Sequence, residues 1–305
     1  MGMRVVVTGN RGYIGSVLTA SLLRSNKGHS VRGIDANFRP AAPGSWRFQL
    51  KETQKEICAI QAHDLTNTDA VIHLADVSAN ETAELALLAR SQGVKRFIFA
   101  STCDIYAHNQ GDSLCDETTI PAELTDHARI KLETEKMLAG LAKDSITVVS
   151  LRLPSVFGWS PNPRKDLPVN GIMYSALTSG EINLPSNGQE WQPFIHVQDA
   201  ADAFILALET YRQLKDGIYN VGAPDSNHRI IEVAKAAEEL TWAKIIPGGA
   251  SAPSSYQVDF SRISGLGFSP KGTLYFGCSE IKKHFKEILA EKEMPFLVPQ
   301  LAGQP

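Results

Sequence analysis

The segment that most restricts the fold is RVVVTGNRGYIGSVLTASLL, residues 4–23. A β-branched run at 4–7 stops at a glycine-rich turn and continues with helical apolar spacing at Val17, Leu18, Leu22 and Leu23. A short run this apolar reads as a strand buried on both faces, and such strands need helices above and below them. Gly9, Gly12 and Gly15 fall between the strand and the helix. Gly9 allows the tight turn, Gly12 lets the backbone approach a pyrophosphate, and Gly15 lets helix and strand pack closely. The helix N-terminus adds amide donors and a partial positive charge for the phosphates. The glycine spacing alone is weak evidence; its place between strand and helix gives it meaning. Asp35 closes the next apolar run, HSVRGID at 29–35. A carboxylate there accepts ribose hydroxyls and repels a 2′-phosphate, which favours NAD over NADP. Arg11 and Arg32 keep the phosphorylated cofactor open as the alternative.

The alternation continues along the chain. Strands are expected around 47–50 (RFQL), 70–76 (AVIHLAD), 96–102 (RFIFAST) and 147–153 (TVVSLRL), with helices near 53–64, 81–92 and 126–142. This spacing predicts an α/β fold: a Rossmann-like, doubly wound parallel sheet with helices on both faces. Beyond residue 154 the regularity fails. The stretches 158–170 and 247–255 are loop-rich, with helices expected near 197–211 and 229–241. The expected division is a dinucleotide-binding domain over 1–157, also receiving roughly 190–215, and a smaller, mixed substrate-binding domain from 158–189 and 216–305. The formal charge of −3 and the lack of any basic block argue against a nucleic-acid partner. Cys58, Cys103, Cys115 and Cys278 fall at no metal-ligand spacing, so no metal is expected and the thiols read as free in a reducing cytoplasm. The N-terminal apolar run is too short for a secretory h-region, and no segment reaches membrane-spanning length.

Further stretches narrow the reading. VIHLA at 71–75, GVKRFIFAST at 93–102, IYAH at 105–108, LRLPSVFG at 151–158, FIHVQDAADAFILALE at 194–209 and YNVGAP at 219–224 join TGNRGYIG at 8–15. Together they resemble the extended short-chain dehydrogenase/reductase family, and within it the NAD-dependent nucleotide-sugar epimerases and dehydratases, over nearly the whole chain. The resemblance implies NAD as cofactor and a sugar or nucleotide sugar as substrate, epimerised through a transient ketone. A dehydratase or dehydrogenase of the same family, or an NAD-binding regulator, is the alternative. It also implies cofactor contacts at Gly9, Gly12, Tyr13, Ile14, Gly15, Asp35, Leu74, Ala75, Lys131 and Pro154, with Glu52 on the adenine side. Substrate contacts are implied at Asn170, Gln192 and Tyr256. A homodimer is implied through the helices matching 81–92 and 126–142, with Ile130, Met137 and Leu141 as the apolar stripe. That stripe reads equally as a face packed on the sheet.

The departures from the family pattern matter most. Family chemistry rests on a Ser/Thr at the end of the fifth strand and a Tyr-x-x-x-Lys pair on the next helix. Thr102 matches the hydroxyl and Lys131 the lysine, but the tyrosine position holds His127. Charged His and Lys one turn apart disfavour a helix, and the ammonium favours the neutral imidazole. A neutral imidazole can take a proton at neutral pH. Its ring is shorter than a phenol, so three outcomes stand: an altered catalytic role, the family's chemistry kept, or a site without redox function. Thr102-Cys103-Asp104 replaces the Thr-Asp-Glu of family dehydratases. Asp104 retains the basic role or caps the turn, while Cys103 is a poor acid. Ser78 or Asn80 stands near the family's asparagine, in a loop that is unusually short. Gln192 and Ser254 stand where the family has arginines, with Arg164 as a candidate to compensate. His196 and Asp199 read as fixing a helix start, and His63 and His73 as structural.

Overall fold

Strands buried on both faces need cover on both sides, and four helices provide it. The computed structural model of the chain describes residues 2–37, 50–109, 114–142, 145–210, 214, 217–249 and 254–293. In chain order the first half runs β1 (Arg4–Thr8), α1 (Tyr13–Arg24), β2 (Ser30–Asp35), β3 (Lys51–Gln54), β4 (Ala70–His73), α2 (Ala79–Ser91), β5 (Arg96–Thr102), α3 (Asp126–Leu141) and β6 (Thr147–Leu153). The remainder runs β7 (Ser155–Phe157), α4 (Pro168–Ser179), β8 (Glu181–Asn183), β9 (Trp191–His196), α5 (Val197–Glu209), β10 (Gly217–Asn220), β11 (Asn227–Arg229), α6 (Ile230–Thr241), β12 (Lys244–Ile246), α7 (Ser261–Ser264) and α8 (Leu274–Glu293).

Seven strands form one parallel sheet in the order β10-β6-β5-β4-β1-β2-β3. This is the doubly wound arrangement. The strand order reverses between β1 and β4, where open α/β sheets bind ligands beyond the strands' carboxyl ends. Side-chain alternation splits the core in two. Val5, Val7, Ile72 and Ile98 face α1 and α5 through Leu18, Leu22 and Phe204. Val6, Val71, Phe97 and Phe99 face α2 and α3 through Leu85, Ala89 and Leu138. A buried ion pair fastens α3 to the sheet: Arg152 on β6 donates to Glu135 through Nε (2.9 Å) and Nη2 (2.7 Å), with both side chains under 5% exposed. Breaking such a pair leaves an uncompensated buried charge, so it fixes where α3 sits.

The second region is a small mixed sheet, β11-β9-β7, and a parallel pair, β12-β8, packed with α4, α6 and α8 around Met173, Phe194, Val233 and Cys278. Among the described residues no helix is long and apolar enough to cross a membrane, and no His/Cys/Asp/Glu cluster could hold a metal.

Several expectations change. Residues 47–49 lie outside the described residues; Leu50 is a buried bend and the third strand is β3, Lys51–Gln54. The expected helix over 53–64 is two 3-10 turns, Ile57–Ala59 and Ala62–Leu65. Ile60 between them is extended, and Gln61 and Asp64 close a new capping box that cuts any continuous helix. The loop-rich stretch 158–170 already holds the start of α4, with Pro168 in the first turn and Gly180 ending it at φ 72°. The chain's return to the large sheet, expected over roughly 190–215, extends to Asn220 through β10. α8 and the short strands β7, β8, β11 and β12 were not foreseen.

Candidate active site

The parallel register Thr8↔Ile34 and Thr8↔His73 sets the glycine turn between the end of β2 and the loop after β4. Gly9 adopts φ 71°, its N–H donates to the Ile34 carbonyl (2.9 Å), and a Cβ there would sit 2.8 Å from the Ala75 nitrogen. A Cβ on Gly15 would stand 2.1 Å from the Gly9 carbonyl oxygen. Gly12, the residue before α1, differs: a Cβ there would meet only that same oxygen, at 3.2 Å, so its outer side is open. That is the cradle a pyrophosphate needs at a helix N-terminus. Leu74 is tied to Thr8 by its N–H (3.1 Å) and Ile14 packs on the core.

At the β2 end, Asp35 accepts from the backbone N–H of Arg11 (2.9 Å) and of Asn37 (3.0 Å). The Arg11 guanidinium is turned onto Glu52, and Asn10 Nδ2 donates to the same carboxylate (2.6 Å). Asn10 Oδ1 is buried without a hydrogen-bond partner among the described residues, an acceptor that suits an amino group such as adenine's. Arg32 donates to the Thr66 carbonyl (3.0 Å) and to Thr68 Oγ1 (2.6 Å). Both arginines are thus engaged within the fold, and the residues fit an NAD adenosine.

At the β4 end, three side chains meet. Thr125 caps α3 by accepting from the Ala128 N–H (3.2 Å), and this presents His127 and Lys131 on one face. Lys131 Nζ lies 3.1 Å from Asp76 Oδ1, and His127 Nε2 lies 3.8 Å from the same oxygen. Burial pulls the Asp76 carboxyl upward, but the Lys131 ammonium, helped by His127 and Arg164, brings the net position below the ordinary carboxylate value. Lys131 also sits 5.1 Å from the Phe99 ring centroid, on the strand that ends at Thr102. Beneath them His73 is fully buried between Thr8 Oγ1 (2.6 Å) and Thr82 Oγ1 (3.1 Å). Burial, then the charge of Lys131, hold its imidazole down to about 3, so it stays neutral.

Asp76 was missed by the sequence reading. The signal was available in HLAD, a carboxylate three residues past β4 in the short loop before α2. Ser78 is occupied: it caps α2 and exchanges hydrogen bonds with Glu81.

At the end of β5, Thr102 Oγ1 accepts from the Asp104 N–H (3.0 Å), and Asp104 Oδ1 accepts from the Tyr256 hydroxyl (3.1 Å). Burial first, then Asp104, push the Tyr256 phenol well above its ordinary value. Cys103 is fully buried, its thiol raised by burial and donating to the Arg152 carbonyl (3.3 Å). Asn170 has its amide filled: Oδ1 accepts from the Gly158 N–H (3.1 Å), and Nδ2 donates to the Tyr13 hydroxyl (3.1 Å) and the Arg164 carbonyl (2.9 Å). Tyr13 itself donates to the Gly158 carbonyl (2.6 Å). Ser160 and Asn162 extend this seam, donating to the Tyr13 and Arg11 carbonyls (2.7 and 3.0 Å). Gln192 donates to Ser155 Oγ (2.7 Å), Ser254 to the Ala107 carbonyl (2.7 Å), and Arg164 is paired with Asp166. Pro154 follows β6 directly, at the same carboxyl edge of the sheet. His196 accepts from the Gln198 N–H at the start of α5 and meets Glu280 (2.7 Å), while Asp199 instead binds the N–H groups of Lys271 and Gly272 (2.9 and 2.7 Å). His63 is a surface residue beside Asp64.

The profile described as the NAD dependent epimerase/dehydratase family matches residues 5–222. The chain belongs to that family. The family's cofactor is NAD, and the glycine cradle and Asp35 fit it. Among curated relatives, an uncharacterized UDP-glucose epimerase of Bacillus subtilis (strain 168) is 26% identical, over 79% of this chain and 83% of its own. A UDP-N-acetyl-alpha-D-glucosaminuronate decarboxylase of Bacillus cytotoxicus is 26% identical, over 94% of this chain and 99% of its own. Among solved structures, MoeE5 in complex with UDP-glucose and NAD is 26% identical with a TM-score of 0.79, covering 94% of this chain and 99% of that one.

Proposed function

We propose that the protein is an NAD-dependent epimerase that inverts one carbinol centre of a nucleotide sugar through a transient ketone, with His127 as the proton carrier. The observation that carries this reading is the convergence of His127 and Lys131 on the Asp76 carboxylate beside the glycine cradle. The relatives whose names mention UDP-glucose or a UDP-sugar acid favour a UDP-sugar as the substrate class.

The Gly9–Gly15 turn would hold the pyrophosphate of NAD and Asp35 its adenosine ribose. Bound there, NAD would supply a reversible hydride acceptor for the sugar carbon. Lys131 would hold the nicotinamide ribose. Thr102 orients the sugar hydroxyl, and His127 takes that hydroxyl's proton on a ring nitrogen and later returns it. Asp76 balances the cation this creates. A family dehydratase needs an acid beside Thr102, and the buried, carbonyl-bound Cys103 thiol cannot serve. Epimerisation is therefore favoured over dehydration. Tyr256 and Gln192 remain substrate-side candidates, whereas Asn170 acts by bracing Tyr13 and Gly158.

The two regions of the fold act as cofactor and substrate halves in a cytoplasmic homodimer. Ile130 and Met137 on α3, with Leu87 on α2, form an exposed apolar strip suited to a second copy, whereas Leu141 packs inward on the core.

His127→Phe should abolish turnover of a UDP-sugar while leaving NAD affinity within about threefold, because the glycine turn and Lys131 do the binding. His127→Tyr separates two site geometries: retained activity means the pocket still accepts a phenol, and lost activity means it is shaped to the imidazole. Full activity in the phenylalanine variant would remove His127 from the chemistry.

A further inference from the structure

The second charged cluster of the crevice lies at its adenosine end. Arg11 precedes Gly12, and its backbone N–H donates to Asp35 Oδ2 at 2.9 Å, so its side chain starts beside the carboxylate that faces the ribose. A guanidinium starting there has the charge and the planar donor fork that recognise a phosphate monoester. It is held elsewhere. Arg11 Nε lies 3.1 Å from Glu52 Oε1 and Nη2 lies 2.5 Å from Oε2, a bidentate pair with side chains 7% and 11% exposed. Asn10 Nδ2 braces the same carboxylate at 2.6 Å. The register Gly33↔Glu52 sets Glu52 beside a glycine, and a Cβ on Gly33 would come within 2.4 Å of the Asn10 amide. Gly33, Asn10, Glu52 and Arg11 therefore form one packed unit, and Arg11 cannot leave it without stranding a buried carboxylate.

We propose that Glu52 is a cofactor-selectivity residue that works by holding the Arg11 guanidinium off the ribose 2′ position. This differs from an adenine contact, which would act on NAD and NADP alike. Asp35 repels a 2′-phosphate, and Glu52 withholds the cation that would offset that repulsion. Selectivity for NAD then has two separable sources, one on β2 and one on β3. The inference rests on the reading that Asp35 faces the adenosine ribose.

Calorimetric titration of the full-length protein with NAD and with NADP tests it without any sugar substrate. Glu52→Gln keeps the shape and removes the charge, and it should raise the ratio of NADP to NAD affinity at least tenfold. Glu52→Asp keeps the charge but shortens the fork, and it should give a smaller gain. Adding Arg11→Gln to Glu52→Gln should erase the gain, because the released cation is then gone. An NADP/NAD ratio unchanged in both Glu52 variants would overturn the proposal, as would equal losses for both cofactors. A gain that survives Arg11→Gln would also overturn it, leaving simple loss of negative charge as the cause. Asp35→Asn tests the underlying reading on its own: if it does not raise NADP affinity, the ribose does not face Asp35.

Discussion

When His127 accepts a proton it becomes a second cation one turn from the Lys131 ammonium, and Asp76 is the carboxylate that faces both. Two unit charges about 4 Å apart interact by about 4 kcal/mol at an effective dielectric of 20. With Asp76 67% and His127 48% exposed, solvent screening brings this down to about 1 kcal/mol. Asp76→Asn should therefore lower turnover about five- to tenfold, with NAD affinity by calorimetry within about threefold; unchanged turnover would show that Asp76 carries no charge in the reaction. Its neighbour His73 makes a different prediction. An unfolded histidine titrates near 6.5 and folded His73 at about 3, so between these values the unfolded chain binds a proton that the folded chain refuses. Its contribution is complete above about pH 6.5 and is lost as pH falls toward about 3, of order 5 kcal/mol in all. Melting temperature should drop as pH goes from 7 to 5, and His73→Gln should flatten that slope; an equal slope in the variant would place the acid sensitivity elsewhere. Thr102, His127 and Lys131 were legible because strand end and helical spacing fix their place. Asp76 was not, since a loop carboxylate has no period and its partners come from a helix far along the chain.

The β1–turn–α1 unit separates steric needs from ligand needs. At Gly15 a methyl group would be driven into the Gly9 carbonyl at 2.1 Å, whereas at Gly12 it meets one oxygen at 3.2 Å and open space beyond. Overpacking of this kind costs about 1–3 kcal/mol, so Gly15→Ala should melt several degrees lower. Gly12→Val should melt within about 3 °C of wild type yet lose NAD binding by calorimetry. Retained binding in Gly12→Val would mean that no phosphate approaches that turn. Elements with clean periodicity read well: β5 and β6 fall where the apolar runs put them, and α3 differs by one residue at its end. Misreadings cluster where local chemistry overrides pattern. Ile57 and Ile60 look helical, but the extended Ile60 and the Gln61–Asp64 box break the segment into two turns. Pro168 and Gly180 mark the ends of α4, yet the preceding run of prolines makes the whole stretch read as loop.

At the scale of the molecule, α2 and α3 lie side by side on one face of the sheet and leave Leu87, Ile130 and Met137 about 40% exposed. Apolar side chains in such a strip suit a second copy of the chain. Light scattering should give a dimer at micromolar concentration, and Met137→Glu should shift it toward monomer; a wild-type monomer would remove the dimer. The fold class was visible in the strand–helix alternation, whereas the second region, whose strands other than β9 are three residues long, has too little pattern in most segments to be read. Incubating the protein with NAD and a panel of UDP-sugars in D2O, and following the products by NMR, tests inversion through a transient ketone. The expected product is an epimer in which the inverted carbon carries protium, because the hydrogen that leaves the substrate returns from the cofactor rather than from solvent. Deuterium at that carbon, or a product that has lost water, would contradict it.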